Sequence, residues 1–475
     1  MKMTNLKITP SQIKILLNTV FLISFYLLHF TWSLSSPAGS SPDEDAHLIS
    51  IYCIKETGTT PCENLNQKIV DIGYCYIFDS DQSAMCDLYS SNKSANASTR
   101  SQWENYFYKT LSYFASDNLE LSILLMRGFN SLLITVIFGL IYFFMPLKIF
   151  VTSVSTWLIV NLPLGFFLVT SINTSSWLLI FTIVITLIAY LSFTNTNLSA
   201  ALILMGLFFF FLSKEARPDT VLVTACILIS YLPFLFNIFK NRKIYYIQFM
   251  FSIIFFVVFV KLIFDRSSIA TSVREFGIPI WEHLYRITSI PLGVFGGWGL
   301  GSLELDLPSL VSVTANFLIL GLIFLSLKFS SLESIFSKFY LILLIYMIPL
   351  FVVYTSKLQV GEWYQPRYIL PLFYPLIFIS IFDILKIKKN YKNIIVIIGF
   401  FTLIIYTTSL HTILRRYTFG LGDFILNLNH NYEWWWQLKF MISPMSVLIL
   451  GSISFSYLLF FIYIQLKKIS DFSNQ

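Results

Sequence analysis

Charge is what this sequence has least of. Only 12% of its 475 residues are Asp, Glu, Lys or Arg, about half of the roughly 25% usual in soluble domains. With 56% hydrophobic residues, including 48 Phe and 26 Tyr, too little polar surface remains to face water. A soluble fold is thereby excluded, and lipid must solvate much of the chain. The sequence also lacks a C-x-x-C pair, which argues against a zinc ribbon. Its glycine-rich run, Gly293 to Gly301, fits neither G-x-G-x-x-G nor the P-loop, so no nucleotide cradle is read there. There is no repeat of solenoid or propeller period and no low-complexity tail.

Long apolar runs are there in plenty. A membrane-crossing helix needs about 20 apolar residues, and spans are predicted at 15–35, 121–146, 149–170, 177–193, 197–213, 219–239, 244–264, 309–328, 338–355, 367–385, 394–411 and 441–466. The fold class is all-α and polytopic, with twelve spans. The net charge of +7 suggests no nucleic acid, because the lysines and arginines gather in short loops. There they set orientation. A cytoplasmic N-terminus puts Lys148, Lys240, Arg242, Lys243, Lys328, Lys338, Lys386, Lys388, Lys389, Lys392, Lys467 and Lys468 on one side. The segments 1–14 and 467–475 are then cytoplasmic, and three stretches at 36–120, 265–308 and 412–440 lie outside.

Four of the five cysteines, Cys53, Cys62, Cys75 and Cys86, fall in the first external stretch. An even cluster in one loop reads as two disulfides in an oxidising compartment. Three pairings are possible, and the local one, Cys53–Cys62 with Cys75–Cys86, is preferred. The richness in Lys, Ile, Phe and Asn suggests an AT-rich bacterial genome, so the expected location is the bacterial inner membrane, facing the periplasm.

Just beyond the first span stands Ser41-Pro42-Asp43-Glu44-Asp45-Ala46-His47. Adjacent carboxylates repel, which raises the pKa of at least one and makes a better proton acceptor at neutral pH. A helix start, with proline and acids in its first turn, accounts for the same residues. Other external residues invite weighing. Arg127 opens the second span and is costly to bury unpaired. Lys214, Glu215, Arg217 and Asp219 crowd one turn, where mutual salt bridging is the bland account. Arg367 is ringed by Trp363, Tyr364 and Tyr368 and suits a phosphate or carboxylate. His283 is a weak metal or acceptor ligand. Arg415, Arg416 and Trp434 to Trp436 fit a sugar site or an interfacial aromatic belt equally well.

Together these residues resemble the GT-C superfamily of membrane glycosyltransferases. Lipid A aminoarabinose transferases and protein O-mannosyltransferases look similar at the Asp-Glu pair heading the first external loop. Phage-type O-antigen glucosyltransferases are similar in size and layout. A closer likeness is to a large bacterial group with Pro-Asp-Glu-x-x-His, met by Pro42, Asp43, Glu44 and His47. Its Arg-x-x-Asn resembles Arg127 and Asn130, and its Gly-Trp segment with later Asp and Pro resembles Gly297, Trp298, Asp306 and Pro308. Its Arg-Tyr before a Leu-Pro run resembles Arg367, Tyr368, Leu370 and Pro371, and its paired tryptophans before the last span resemble Trp434 to Trp436. Two departures stand out: Pro366 replaces a glycine, and the path from Trp298 to Asp306 is longer.

The resemblance implies an inverting transfer of a sugar, such as glucose, from a polyprenyl-phosphate donor to a periplasmic glycan such as O-antigen. Asp43 is then the base, with Glu44 second and His47 in support. Arg367, Arg127, Arg217, Arg415 and Lys214 are the candidate phosphate-binding cations. His283, Trp298, Asp306, Trp434 and Trp435 are candidates for the acceptor or sugar. A divalent metal held by Asp43 and Asp45 could share the charge, though nothing requires one. The competing classes are a polysaccharide polymerase or ligase, and a lipid-linked sugar transporter. A transporter favours ionisable groups deep in the spans, and these are nearly absent here.

Overall fold

The computed structural model describes residues 10–59, 62, 65–77, 79–89, 94–95, 106–194, 200–235, 280–301, 304–356, 364–386, 391–422 and 425–472. Each long apolar run in them has become a helix, since a helix alone satisfies a segment's backbone without water. The chain opens with α1 (Pro10–Leu34), followed by α2 (Glu44–Thr57), α3 (Gln67–Val70) and α4 (Tyr106–Ser112). A two-residue antiparallel pair, Leu65–Asn66 with Ser94–Ala95, is the one sheet among the described residues. Then come α5 (Leu119–Phe144), α6 (Leu147–Val160), α7 (Leu164–Val169), α8 (Ser175–Phe193), α9 (Ala200–Ala216) and α10 (Thr220–Tyr231). Two short helices, α11 (Ile280–Ile287) and α12 (Ile290–Val294), precede α13 (Ser309–Leu327), α14 (Leu332–Ser356), α15 (Leu370–Ile384), α16 (Tyr391–Phe419) and α17 (Pro444–Phe472).

Seven of the described helices are long and apolar enough to cross a membrane, and three shorter apolar ones accompany them. The all-α polytopic class therefore holds, and the described residues alone do not test the count of twelve. The span expected at 244–264 and the 265–279 part of the next stretch lie outside the described residues. Two boundaries differ from expectation. The run 149–170 is broken into α6 and α7 at Asn161-Leu162-Pro163, because Pro163 has no N–H to continue the ladder. Conversely α16 runs on to Phe419, so Arg415 and Arg416 stand on its last turns and not in a loop.

The packing explains the sequence's densest apolar run. Every residue of α15 except Phe382 is buried, with α6, α8, α13 and α14 around it. A helix apolar on all sides belongs at such a centre. Helix α1 lies against α5 and α17, with Phe21 stacked on Phe461 at 4.7 Å. The end of α1, α2 and the turn before α15 meet at one end of the bundle. At the other end Asp383 joins Lys338 at 2.9 Å and Lys386 at 2.5 Å. Cys53 bonds Cys62 and Cys75 bonds Cys86, with Cα separations of 5.4 and 6.1 Å, which is the preferred local pairing.

Candidate functional site

The site is built where α1 hands over to α2. Neighbouring carboxylates meet opposite surroundings there. Asp43 is the N-cap of α2 and adopts φ 61°, the left-handed region, at a cost of roughly 1–2 kcal/mol for a residue with a Cβ. What holds that turn is Glu44. Its Oε2 accepts from the amides of Gly39 at 3.1 Å and Ser41 at 3.3 Å, and its Oε1 accepts from the amide of Ile172 at 2.8 Å. Arg127 of α5 completes the pairing from Nε and Nη2, at 2.8–3.1 Å. The remaining Arg127 donors go to the carbonyls of Ser33, Ser36 and Pro37 at 2.9, 2.7 and 2.8 Å.

Glu44 and Arg127 are both 0% exposed. Their donors and acceptors are spent on the fold. Two expectations are thereby corrected: Glu44 is no reserve base, and Arg127 offers no phosphate contact. The Arg-x-x-Asn spacing still makes sense, because residues three apart share one helix face. Asn130 reaches the carbonyl of Ser171 at 2.9 Å on the same inner side.

Asp43 faces the opposite way. Its carboxylate side chain is 46% exposed and accepts from Arg367 Nη2 at 2.7 Å. Arg367 sits in the 3-10 turn Pro366–Tyr368 that leads into α15, and its side chain is 7% exposed. Among the described residues, its Nε and Nη1 meet no hydrogen-bond partner. Buried donors of this kind are rare and call for an explanation. Tyr368 ties a second cation in, for the guanidinium carbons of Arg217 and Arg367 each lie 5.2 Å from its ring centre. Arg217 is oriented by Asp219, at 3.0 and 2.6 Å, and by the hydroxyl of Ser175.

His47 lies one turn along α2, its Nδ1 2.8 Å from the hydroxyl of Tyr108. Desolvation pushes its pKa down to about 4; Arg367 and Arg217 push the same way, against the opposing pull of Asp43 and Glu44. The ring is therefore neutral at neutral pH, and it serves as a polar wall beside Asp43 rather than a second cation.

The other expected residues scatter. Lys214 is 47% exposed and lies 4.0 Å from Glu215, on the outer side of the turn that presents Arg217. Trp298 is partly buried beside Gly293 and Pro366, so its loop backs the Arg367 turn. Asp306 is exposed in the extended segment before α13. The side chain of His283 lies outside the described residues. Trp434 and Trp435 are buried, with ring centres 4.4 Å apart. Arg415 stands on the last turns of α16. Its neighbour Arg416 donates through Nη1 and Nη2 to the carbonyls of Gln82, Tyr76 and Asp79, each at 2.8 Å, while its buried Nε meets no partner among the described residues.

No three imidazole, thiol or carboxylate groups converge among the described residues, and Asp43 turns its carboxylate to a cation. These residues do not form a divalent-metal cage. Sequence reasoning missed Tyr108, Ser175 and Asn173, whose Nδ2 donates to the Pro42 carbonyl at 2.6 Å. The signal was present as the polar run Thr170 to Ser176 between two apolar ones. Loops of that kind inside a hydrophobic bundle are tolerated where they line a protein-buried site.

The arrangement offers a half-exposed carboxylate with two guanidiniums at its side. No curated protein and no solved structure matches the chain. The model of DUF2142, described as a predicted membrane protein, matches residues 25–377, a stretch that holds Asp43, Glu44, Arg127, Arg217 and Arg367. The chain belongs to that family of membrane proteins.

Proposed function

We propose that the protein is an inverting glycosyltransferase that moves a sugar from a polyprenyl-phosphate donor to a hydroxyl of a periplasmic glycan. One observation carries this reading: a solvent-reachable Asp43 carboxylate lies 2.7 Å from an arginine whose Nε and Nη1 nitrogens are unpartnered among the described residues. The acceptor hydroxyl attacks the anomeric carbon from the face opposite the phosphate, and its proton passes to Asp43. The bond from that carbon to the phosphate oxygen breaks, and polyprenyl phosphate leaves. Phosphate is a good leaving group and needs charge neutralisation rather than a general acid. Arg367, through Nε and Nη1, and Arg217 supply it. A donor carried on a lipid also explains why the carboxylate is tied to the end of a membrane helix.

A positioned base is worth about 10²–10⁴ in rate. The test uses the full-length protein in vesicles with a radiolabelled polyprenyl-phosphate sugar and isolated glycan. Asp43→Asn is expected to lower transfer at least about a hundredfold, with thermal stability unchanged. Transfer at near the wild-type rate by that variant refutes the role of Asp43. Products lengthened by whole repeat units, rather than by one sugar, identify a polymerase instead.

A further inference from the structure

Asp43 and Arg367, the base and the phosphate-binding cation of the proposed transfer, are also each other's partners. Nη2 of Arg367 donates to Asp43 Oδ2 at 2.7 Å and to the Tyr368 hydroxyl at 3.3 Å. That nitrogen carries two protons, so both are taken while the pair stands. A phosphate oxygen can claim the proton on Asp43 only when Asp43 gives it up. Base and leaving group thus compete for one edge of one guanidinium.

Charge decides when the competition turns. Arg217 is engaged on all three nitrogens, with Nε and Nη2 on Asp219 at 3.0 and 2.6 Å and Nη1 on the Ser175 hydroxyl. No step of the transfer touches Asp219, so Arg217 keeps its counter-charge throughout. Glu44 is sealed against Arg127 and cannot stand in for Asp43, and burial keeps the His47 ring neutral. Of the two arginines beside Tyr368, only Arg367 loses its counter-charge when Asp43 takes up a proton.

The transfer delivers that proton as the new anion forms. The acceptor O–H bond breaks, its electron pair makes the bond to the anomeric carbon, and the proton goes to Asp43. The electron pair of the breaking C–O bond stays on the phosphate oxygen, so the departing phosphomonoester gains one negative charge as Asp43 loses one. We infer that Arg367 Nη2 passes from Asp43 to the departing phosphate, and that deprotonation of Asp43 afterwards expels the polyprenyl phosphate. The inference rests on the glycosyltransferase reading and adds product release to what Asp43 does. The half-exposed Asp43 carboxyl can return its proton directly to water and re-form the pair. A hydrogen bond between charged groups, worth roughly tenfold to a hundredfold in affinity, separates the holding state from the releasing one.

Binding of farnesyl phosphate to the full-length protein in nanodiscs, measured calorimetrically, reads this without turnover. All titrations share one pH, so the phosphate carries the same charge throughout. Asp43→Asn removes the charge and keeps the shape; Asp43→Gly removes the side chain at φ 61°, where glycine is unstrained. Each is expected to bind farnesyl phosphate at least about tenfold more tightly than wild type, even though Asp43→Asn has lost transfer. Adding Arg367→Ala to either is expected to abolish the gain, and farnesol, which has no phosphate, should bind every variant alike. Affinity no tighter than wild type in both Asp43 variants overturns the inference, while loss of transfer in Asp43→Asn still upholds the base. A gain that persists without Arg367 overturns it too. Transfer at near the wild-type rate by Asp43→Asn overturns the glycosyltransferase reading and the inference with it.

Discussion

Asp43 and Glu44 are neighbours in the chain and opposites in the structure. Glu44 and its arginine are sealed from solvent, with each carboxylate oxygen accepting three hydrogen bonds. Asp43 is half-exposed and joined to a buried Arg367 by one bond at 2.7 Å. The first pair builds the turn, and the second joins a half-exposed carboxylate to an arginine whose Nε and Nη1 have no partner among the described residues. Residue type alone therefore does not mark a candidate base; its exposure does.

The sharpest way to break this contrast is to remove one member of the sealed pair. Glu44→Ala leaves Arg127 buried without its counter-charge, which costs about 3–5 kcal/mol. The variant is expected to lose its folded state in detergent, read as a collapse of the thermal transition or of monodisperse yield. A stable Glu44→Ala protein would mean that the pair is not what holds the turn.

Next in size is Arg367→Ala at the open pair. Hydrogen bonds to charged groups are worth about 1.5–3 kcal/mol, so the donor KM is expected to rise roughly tenfold to a hundredfold. The acceptor KM should stay within about twofold, and stability should be little changed. Equal effects on both substrates would count against a phosphate role.

A smaller effect concerns His47. Its folded-state pKa, about 4, lies below the ordinary 6.5, so the unfolded chain binds more protons between those values. The stability that the neutral ring supports is complete above about pH 6.5 and is lost as pH falls towards 4. His47→Gln is expected to flatten that part of the stability profile, measured by thermal shift across pH. Smallest of all is Lys214→Ala. An exposed pair at 4.0 Å contributes little, and both transfer and stability are expected to match wild type.

How much of this the sequence disclosed depends on the kind of interaction. Membrane helices were legible because apolar length is a local property, and α13 begins where the hydropathy places it. The break between α6 and α7 was less so, since Leu162-Pro163-Leu164 continues the apolar run while Pro163 interrupts the hydrogen bonding. Charge misled at α16. Arg415 and Arg416 read as loop residues, yet Arg416 is buried because carbonyls some 330 residues earlier accept its protons. Asp43 was legible as part of an acidic motif, and Arg367 as an arginine among aromatics. That the two meet, and that Glu44 turns inward, goes with the left-handed backbone of Asp43 itself, and no periodicity reports such a turn.

The indole of Trp436 donates to the carbonyl of Leu34, the last residue of the first helix, at 3.0 Å. Leu421 likewise donates its amide to the carbonyl of Ser80 at 2.9 Å. The surroundings of the Asp43 turn are thus finished by a residue made 402 positions after Leu34. A nascent chain can insert its early helices long before that, but the ribosome must pass Trp436 before the first turn outside α1 acquires its final supports. Maturation of this end of the molecule is therefore a late, post-insertion event, and stalled or truncated chains would remain membrane-bound without it.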